Sequence, residues 1–357
     1  MKKSNKTSPH HLRISLAAAM TLGLRPGVFY RDARLYCLNL LLTYPEACYA
    51  NCSYCGLRRA REDHGGRPPS FIRVEWPVFS LEEIIGRTRG RLNLIERICV
   101  SMTMHPRAYD DTIFLVRHLR KKLGLPVSVL ANPSTMEEGS IEDLSRAGAD
   151  MVSVAIDAAT AGLFDRHRGG GVGGPHKWDL YWRTLDEAAL ILGRNRAGCH
   201  LIAGLGETER EMVGAIARVR RLGGRSHLFS FYPEEGSLLA EARPCSASHF
   251  RRIQLARFLI DYDMVDAGVM EFDEYGRITG YGLEGDVLDE LVRSGTPFMT
   301  SGCPGKNRQC ACNRPFGDGP PGDIRSFPFA PQEADIRQIR KELATYQETV
   351  MEEAFKS

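Results

Sequence analysis

Six short apolar runs rich in β-branched residues, at 36-43, 96-102, 126-131, 150-156, 198-203 and 227-232, constrain this chain more than any other feature. Stretches of helical period separate them, at 81-90, 108-123, 140-147, 177-193 and 207-222. A near-continuous apolar run is how a strand buried on both faces reads, and parallel strands need helical crossovers between them. The pattern predicts an α/β fold of about six βα units, a partial (β/α)6 barrel of TIM type rather than a closed eight-fold one. In such barrels the loops that leave the C-terminal ends of the strands carry the chemistry.

The alternation fades after Pro233. A helix at 246-262 leads to a hairpin-like stretch from Val269 to Leu283, turning at Glu274-Tyr275-Gly276. A Gly/Pro-rich, cysteine-bearing loop at 301-331 and a charged closing helix at 332-354 follow. The chain thus divides into an N-terminal arm at 1-35, a barrel at 36-240 and a C-terminal extension at 241-357, packed on the barrel. The first 34 residues carry seven Lys or Arg against one acid, Asp32, and read as a solvated or partner-facing arm with a surface helix over Leu12 to Leu24. Arg13 interrupts that apolar run and it is too short to span a bilayer, so neither an export signal nor a membrane segment is expected. A net charge of +3 argues against a nucleic-acid surface.

Ten cysteines fall into tight clusters rather than well-spread pairs, which favours metal or cluster ligation over disulfides and a reducing, cytoplasmic location. Cys48-Tyr-Ala-Asn-Cys52-Ser-Tyr-Cys55 sets three soft thiolate donors directly after the first strand. Three thiolates hold three irons of a cubane and leave the fourth iron open to a ligand. Zinc, the alternative, prefers paired C-x₂₋₄-C units and four ligands, and His64 stands nine residues beyond Cys55. Cys303, Cys310 and Cys312 form a second group in the Gly/Pro-rich loop, a kind of segment often tied down by metal. Cys37, inside the first strand, is either a further ligand or a small core residue.

Several residues stand just past predicted strands, at the barrel mouth. Asn132 and Asp157 are either ligand contacts or turn formers and caps, and Ser101 opens Ser-Met-Thr-Met-His. The run Gly204-Leu-Gly206-Glu207 reads as a strand turning into a helix, with Glu207 in the first helical turn. Arg168, Gly169 to Gly174 and His176 form either a lid or a plain surface loop, while Arg107, His118 and His167 read as ordinary helix or loop residues.

The C-x₃-C-x₂-C spacing behind the first strand of a partial barrel, with Tyr54 as the aromatic before the third Cys, resembles the radical S-adenosylmethionine (SAM) superfamily. That resemblance implies a [4Fe-4S] cluster on Cys48, Cys52 and Cys55, whose open iron chelates the amino and carboxylate groups of SAM. Reductive cleavage of SAM would then give methionine and a 5′-deoxyadenosyl radical. It also implies SAM contacts at Tyr54, Ser101, Asn132, Asp157, Gly204, Gly206 and Glu207. At Ser101 this chain departs from the Gly-Gly-Glu run of many members. The Gly204 run resembles the fifth-strand motif of the biotin synthase branch, and Phe231-Tyr232-Pro233-Glu234-Glu235-Gly236 the turn after its sixth strand.

From Tyr36-Cys37-Leu-Asn-Leu-Leu-Leu, through His176-Lys-Trp178 and Tyr181-Trp182, to Ser-Gly-Cys303-Pro-Gly and Cys312-Asn-Arg-Pro, the chain resembles a subgroup that includes the two-component lipoyl synthases. By that resemblance Cys37, Cys303 and Cys312, with either Ser301 or Cys310, hold a second [4Fe-4S] cluster that donates sulfur. A serine-bound iron would be the weak corner of such a cluster. The implied partners are a second radical SAM subunit, an octanoylated lipoyl-domain carrier protein and a ferredoxin- or flavodoxin-type reductant. Two alternatives stay open: another small-molecule radical reaction whose auxiliary cluster passes electrons or binds substrate, and a non-enzymatic zinc or iron-sulfur protein.

Overall fold

A computed structural model describes residues 6–59, 70–307 and 309–346 of the chain. His64 and residues 347–354 of the expected closing helix lie outside the described residues. The chain opens with β1 (His11–Ile14), α1 (Leu16–Thr21) and β2 (Cys37–Leu41), then a small hairpin of β3 (Ser70–Phe71) and β4 (Val74–Glu75), then β5 (Val78–Ser80). A repeating part follows: α2 (Leu81–Arg89), β6 (Arg97–Ser101), α3 (Ala108–Leu123), β7 (Val127–Ala131), α4 (Ser140–Ala147), β8 (Ala149–Asp157), α5 (Ala161–Arg168), α6 (Trp178–Leu192), β9 (Ala197–Ala203), α7 (Glu209–Arg221) and β10 (Arg225–Ser230). The remainder holds α8 (Ala247–Asp261), the hairpin β11 (Glu271–Phe272) and β12 (Ile278–Gly280), α9 (Gly285–Ser294) and α10 (Glu333–Ala344).

β2, β6, β7, β8, β9 and β10 lie side by side in chain order, all parallel, as the apolar runs predict. Each strand contributes side chains such as Val100, Val129 and Val154 to a layer fully shielded from solvent, with helices outside it. Burying one such side chain contributes about 1.5–3 kcal/mol, so each apolar run gains several kcal/mol from its place in the sheet once neighbouring strands and helices cover it. The helix after β9 begins later than expected. Thr208 caps it, its hydroxyl accepting the Glu211 N–H while the Glu211 carboxylate accepts the Thr208 N–H, so Glu207 stands before the cap rather than in the first turn.

The N-terminal arm departs from the expected solvated segment. β1 pairs antiparallel with both β2 and β5, and Leu12 and Ile14 are fully buried. His11-Leu12-Arg13-Ile14 alternates with the two-residue period of a strand, which buries the apolar pair and turns Arg13 outward, so only the six residues of α1 remain helical. Among the described residues, no helix is long and apolar enough to cross a membrane.

Six parallel strands do not close a barrel, and an open barrel leaves unpaired N–H groups on its last strand. The segment from Met299 to Phe327 meets both of these needs. On β10, Ser301 Oγ accepts the Leu228 N–H (3.2 Å) and the Asp318 carboxylate accepts the Ser230 N–H (3.5 Å). At the start of β2, Asn313 accepts the Tyr36 N–H (3.1 Å) and donates to the Arg34 carbonyl (2.7 Å). Arg97, at the start of β6, donates from Nε to the Pro304 carbonyl (2.5 Å) and pairs with Asp150 of β8 (2.7 Å). The cysteine-bearing loop is thereby fastened across the open side and the strand-start end of the barrel.

Candidate active site

A cavity of about 290 Å³ runs through the barrel, at the lower end of the range that small-molecule ligands occupy. Cys48, Cys52, Tyr54 and Cys55 line it from the loop after β2, and Ser101, Asn132 and Asp157 from the ends of β6, β7 and β8. Ser301, Cys303 and Cys312 line it from the closing segment. Among the described residues, Cys37, Gly204, Gly206, Glu207 and Cys310 are outside its wall. The apolar stretch Phe71–Ile72 and Trp76 from the hairpin region, with Phe231, Tyr232 and Glu234 after β10, complete one side.

The cysteine loop is held from below and from the side. Asn51 donates to the Val172 carbonyl (2.7 Å) and accepts from Arg58 Nε (3.0 Å). Ser53 donates its backbone N–H to the His167 carbonyl (2.9 Å), its hydroxyl shares a hydrogen bond with His167 Nδ1 (2.8 Å), and His167 Nε2 meets the Leu205 carbonyl (2.9 Å). His167 therefore joins the cysteine loop to the turn after β9, a positioning role that its place in the sequence did not suggest. Burial pushes the thiols of Cys48, Cys52 and Cys55 up from their ordinary pKa, with the Arg168 charge opposing it at Cys48 and Cys52. Metal binding would supply the positive charge such buried thiolates need.

Asp157 carries the sharpest local signal. It sits at φ 65, where a non-glycine residue is uncommon, at the irregular end of the β8–β9 pairing. Its carboxylate accepts from the Tyr54 hydroxyl (2.5 Å) and pairs with Arg168 Nη1 (3.0 Å). Arg168 also donates to the Ala155 carbonyl and is buried. Cluster loop, β8 and α5 are thus wired through one carboxylate, and Arg168 belongs to the wall of the cavity rather than to a surface lid. Asn132 accepts from the Tyr181 hydroxyl (2.9 Å), which meets His176 Nδ1 (2.7 Å). Burial, with the Arg168 charge, lowers His176 to about 2, so its ring is neutral, and the Ser134 hydroxyl also lies 2.8 Å from its Nδ1.

The Gly204 turn serves a different purpose from the one expected. Glu207 accepts the N–H groups of Gly204 (2.6 Å) and Leu205 (2.9 Å) and meets His249 Nε2 (3.1 Å), so its carboxylate braces the turn and faces away from the cavity. Gly204 and Gly206 sit at φ 99 and 113, which the turn requires of glycine. From the same run it is His200 and Ile202, on the strand itself, that reach the cavity.

Two further features escaped sequence reasoning. Cys99 lines the cavity from the middle of β6, and His227 from β10 lies 3.9 Å from Cys303 Sγ. Cys99 was findable: it stands two residues before Ser101, and alternate residues of a strand share a face.

The residues fit a polar ligand. Asn39 Oδ1, Thr103 Oγ1, Arg168 Nε, His227 Nδ1 and Ser230 Oγ are buried without a partner among the described residues, and all five side chains belong to the cavity wall. Each such buried group calls for a partner, which water or a bound polar ligand can supply. Among the described residues, no three His, Cys, Asp or Glu side chains are grouped as a site for a metal ion.

No curated protein matches the chain. Solved structures similar to it include SuiB of Streptococcus suis with S-adenosylmethionine bound (13% identity, 65% of this chain and 48% of that one, TM-score 0.45). TsrM of Kitasatospora setae, a radical S-adenosylmethionine methyltransferase, matches at 14% identity over 73% of this chain and 51% of its own, TM-score 0.40. HemN of Escherichia coli, coproporphyrinogen III oxidase, matches at 14% identity over 81% and 65%, TM-score 0.41. The chain spans about half the length of SuiB and TsrM, and likeness at this level says nothing about activity. The family model described as Radical SAM superfamily matches residues 42–219, the stretch that bears the three-cysteine loop and the strand ends around the cavity. That superfamily implies a [4Fe-4S] cluster and S-adenosylmethionine, and this chain carries a radical SAM domain at residues 42–219.

Proposed function

We propose that this radical SAM enzyme inserts sulfur into an octanoyl chain presented on a lipoyl-domain carrier protein, acting with a second radical SAM subunit. One observation carries the reading: thiols of two separate cysteine groups, Cys48, Cys52 and Cys55 on one side and Cys303 and Cys312 on the other, face one largely apolar cavity. When bound, the first cluster and SAM supply a carbon-centred radical able to abstract hydrogen from an unreactive carbon, and a second cluster supplies sulfide.

The protein's own residues account for the rest. Cys48, Cys52 and Cys55 would hold the first cluster, and Tyr54, Asp157 and Arg168 fix the geometry of its loop. Asn132, Ser101 and Thr103 offer polar contacts at the mouth, while Leu41, Met102, Leu130 and Ile202 give an acyl chain an apolar wall. Keeping water from that wall protects a radical from being quenched. The reductant would be of ferredoxin or flavodoxin type. The test supplies an octanoyl-lysine peptide, SAM, a reductant and the companion subunit to the reconstituted chain. A thiolated peptide in the mass spectrum supports the reading, and 5′-deoxyadenosine formed with no thiolated product from such a mixture contradicts it.

A further inference from the structure

Besides Cys303 and Cys312 on the closing segment, the adjacent strands β2 and β6 carry two further free cysteines, Cys37 and Cys99. β2 and β6 pair in parallel register with Cys37 opposite Arg97 and Asn39 opposite Cys99. Side chains two apart on a strand share a face, and so do laterally paired ones, so Cys37, Asn39 and Cys99 all project from the same side of the sheet. The Cys312 thiol comes from the closing segment, and Cys312 lines the same cavity wall as Asn39, Cys99 and Cys303. Asn39 Nδ2 lies 3.6 Å from Cys312 Sγ and 3.9 Å from Cys37 Sγ. Cys303 lines that wall too, its Sγ 4.0 Å from the Ser153 hydroxyl and 3.9 Å from His227 Nε2.

The competing residues are engaged elsewhere. Ser301 Oγ takes the Leu228 N–H on the edge of the sheet. Cys310 is exposed, outside the cavity wall, and donates to the Thr300 carbonyl (3.4 Å). Cys199 and Cys245 are buried in the apolar core.

We infer that Cys37, Cys99, Cys303 and Cys312 form an all-thiolate site for a [4Fe-4S] cluster, with Cys99 as the fourth ligand. The inference deepens the function proposed above and rests on its second cluster. Four thiolates give a cubane a net negative charge, and the buried Arg97 guanidinium, paired across the strands with Cys37 and held by Asp150 and by the Pro304 carbonyl next to Cys303, is placed to balance it. The two sites then differ in kind. The upper trio leaves one iron open to SAM, whereas the lower set saturates all four. Cys37 and Cys99 are fixed by the sheet, while Cys303 and Cys312 ride on a Gly/Pro-rich loop, so any loss of iron from this site begins on the loop side.

The test uses the full chain with Cys48, Cys52 and Cys55 all replaced by Ala, reconstituted anaerobically, with iron and sulfide counted and EPR spectra recorded on both the oxidised and the reduced protein. This background is expected to bind about four irons and four sulfides. Adding Cys99→Ala should remove them or leave a three-iron EPR signal, whereas adding Ser301→Ala or Cys310→Ala should change neither count nor spectrum. Cys99→Ser should retain iron with a shifted EPR spectrum, and Cys99→Ala in the otherwise native chain should keep the four irons of the first cluster, showing that the fold survives. Four irons and an unchanged spectrum with Cys99→Ala would overturn the assignment of Cys99 alone. A background that binds no iron would overturn the second cluster itself.

Discussion

Replacing Asp157 by Asn removes the charge at the junction of cluster loop, β8 and α5 while keeping a side chain that tolerates the left-handed backbone at φ 65. Asp157 and Arg168 are 8% and 6% exposed, so the variant strands a guanidinium that solvent barely reaches. Breaking one side of such a buried pair costs about 3–5 kcal/mol, and the weakened bond from the Tyr54 hydroxyl adds about 1 kcal/mol. Removing both charges together is much milder, because an uncompensated buried charge is the costly species. The double variant Asp157→Asn with Arg168→Met should therefore be less destabilised than the sum of the single variants, by roughly 1–3 kcal/mol. Urea unfolding of the apo chain, followed by far-ultraviolet circular dichroism, measures all three. Strict additivity, or a loss below about 1 kcal/mol for Asp157→Asn, would refute the claim that this pair braces the site.

Other consequences arise from single contacts. Burial alone would lower the pKa of His249, but hydrogen bonds to Glu207 and Glu209 carry it up to about 9. Its folded value thus exceeds the unfolded one, so its contribution to stability is complete below about pH 6.5 and is lost as pH rises through about 9. Urea midpoints should fall over that window in the native chain, and His249→Gln should flatten the decline; an equal decline in both contradicts it. Ile14→Ala should cost about 2–5 kcal/mol in the same melts, as a core deletion does, whereas a solvated arm would give almost none. A Cβ at Gly302 would lie 2.1 Å from the Cys312 carbonyl oxygen, so Gly302→Ala should displace the loop and drop reconstituted iron from about eight to about four per chain. Retention of all eight would show that the loop does not hold a cluster.

The barrel was legible because each of its strands is a continuous apolar run between helical periods, and local pattern and global burial agree. β1 was not, since Leu12 and Ile14 form a four-residue alternation beside Ala17, Ala18 and Ala19, and helix-forming alanines outweigh so short a strand signal. At the site, the residues found were those whose neighbours in sequence mark them: three cysteines in one loop, and polar residues at strand ends. Arg168 and His167 act through partners 11 and 114 positions away, at Asp157 and Ser53, and no local pattern encodes those meetings. Glu207 shows the reverse failure, where a suggestive local motif turns its carboxylate to its own turn.

Under the proposed function, the Cys48, Cys52 and Cys55 loop alone makes the radical, while the lower thiols serve the later sulfur-transfer step. The most direct measurement is 5′-deoxyadenosine release from SAM under anaerobic, reducing conditions by the reconstituted chain, Cys52→Ala and Cys303→Ala. Release by the native chain and by Cys303→Ala, with none from Cys52→Ala, is the result predicted. Release that survives Cys52→Ala, or that disappears with Cys303→Ala while iron at the first site is retained, would contradict it.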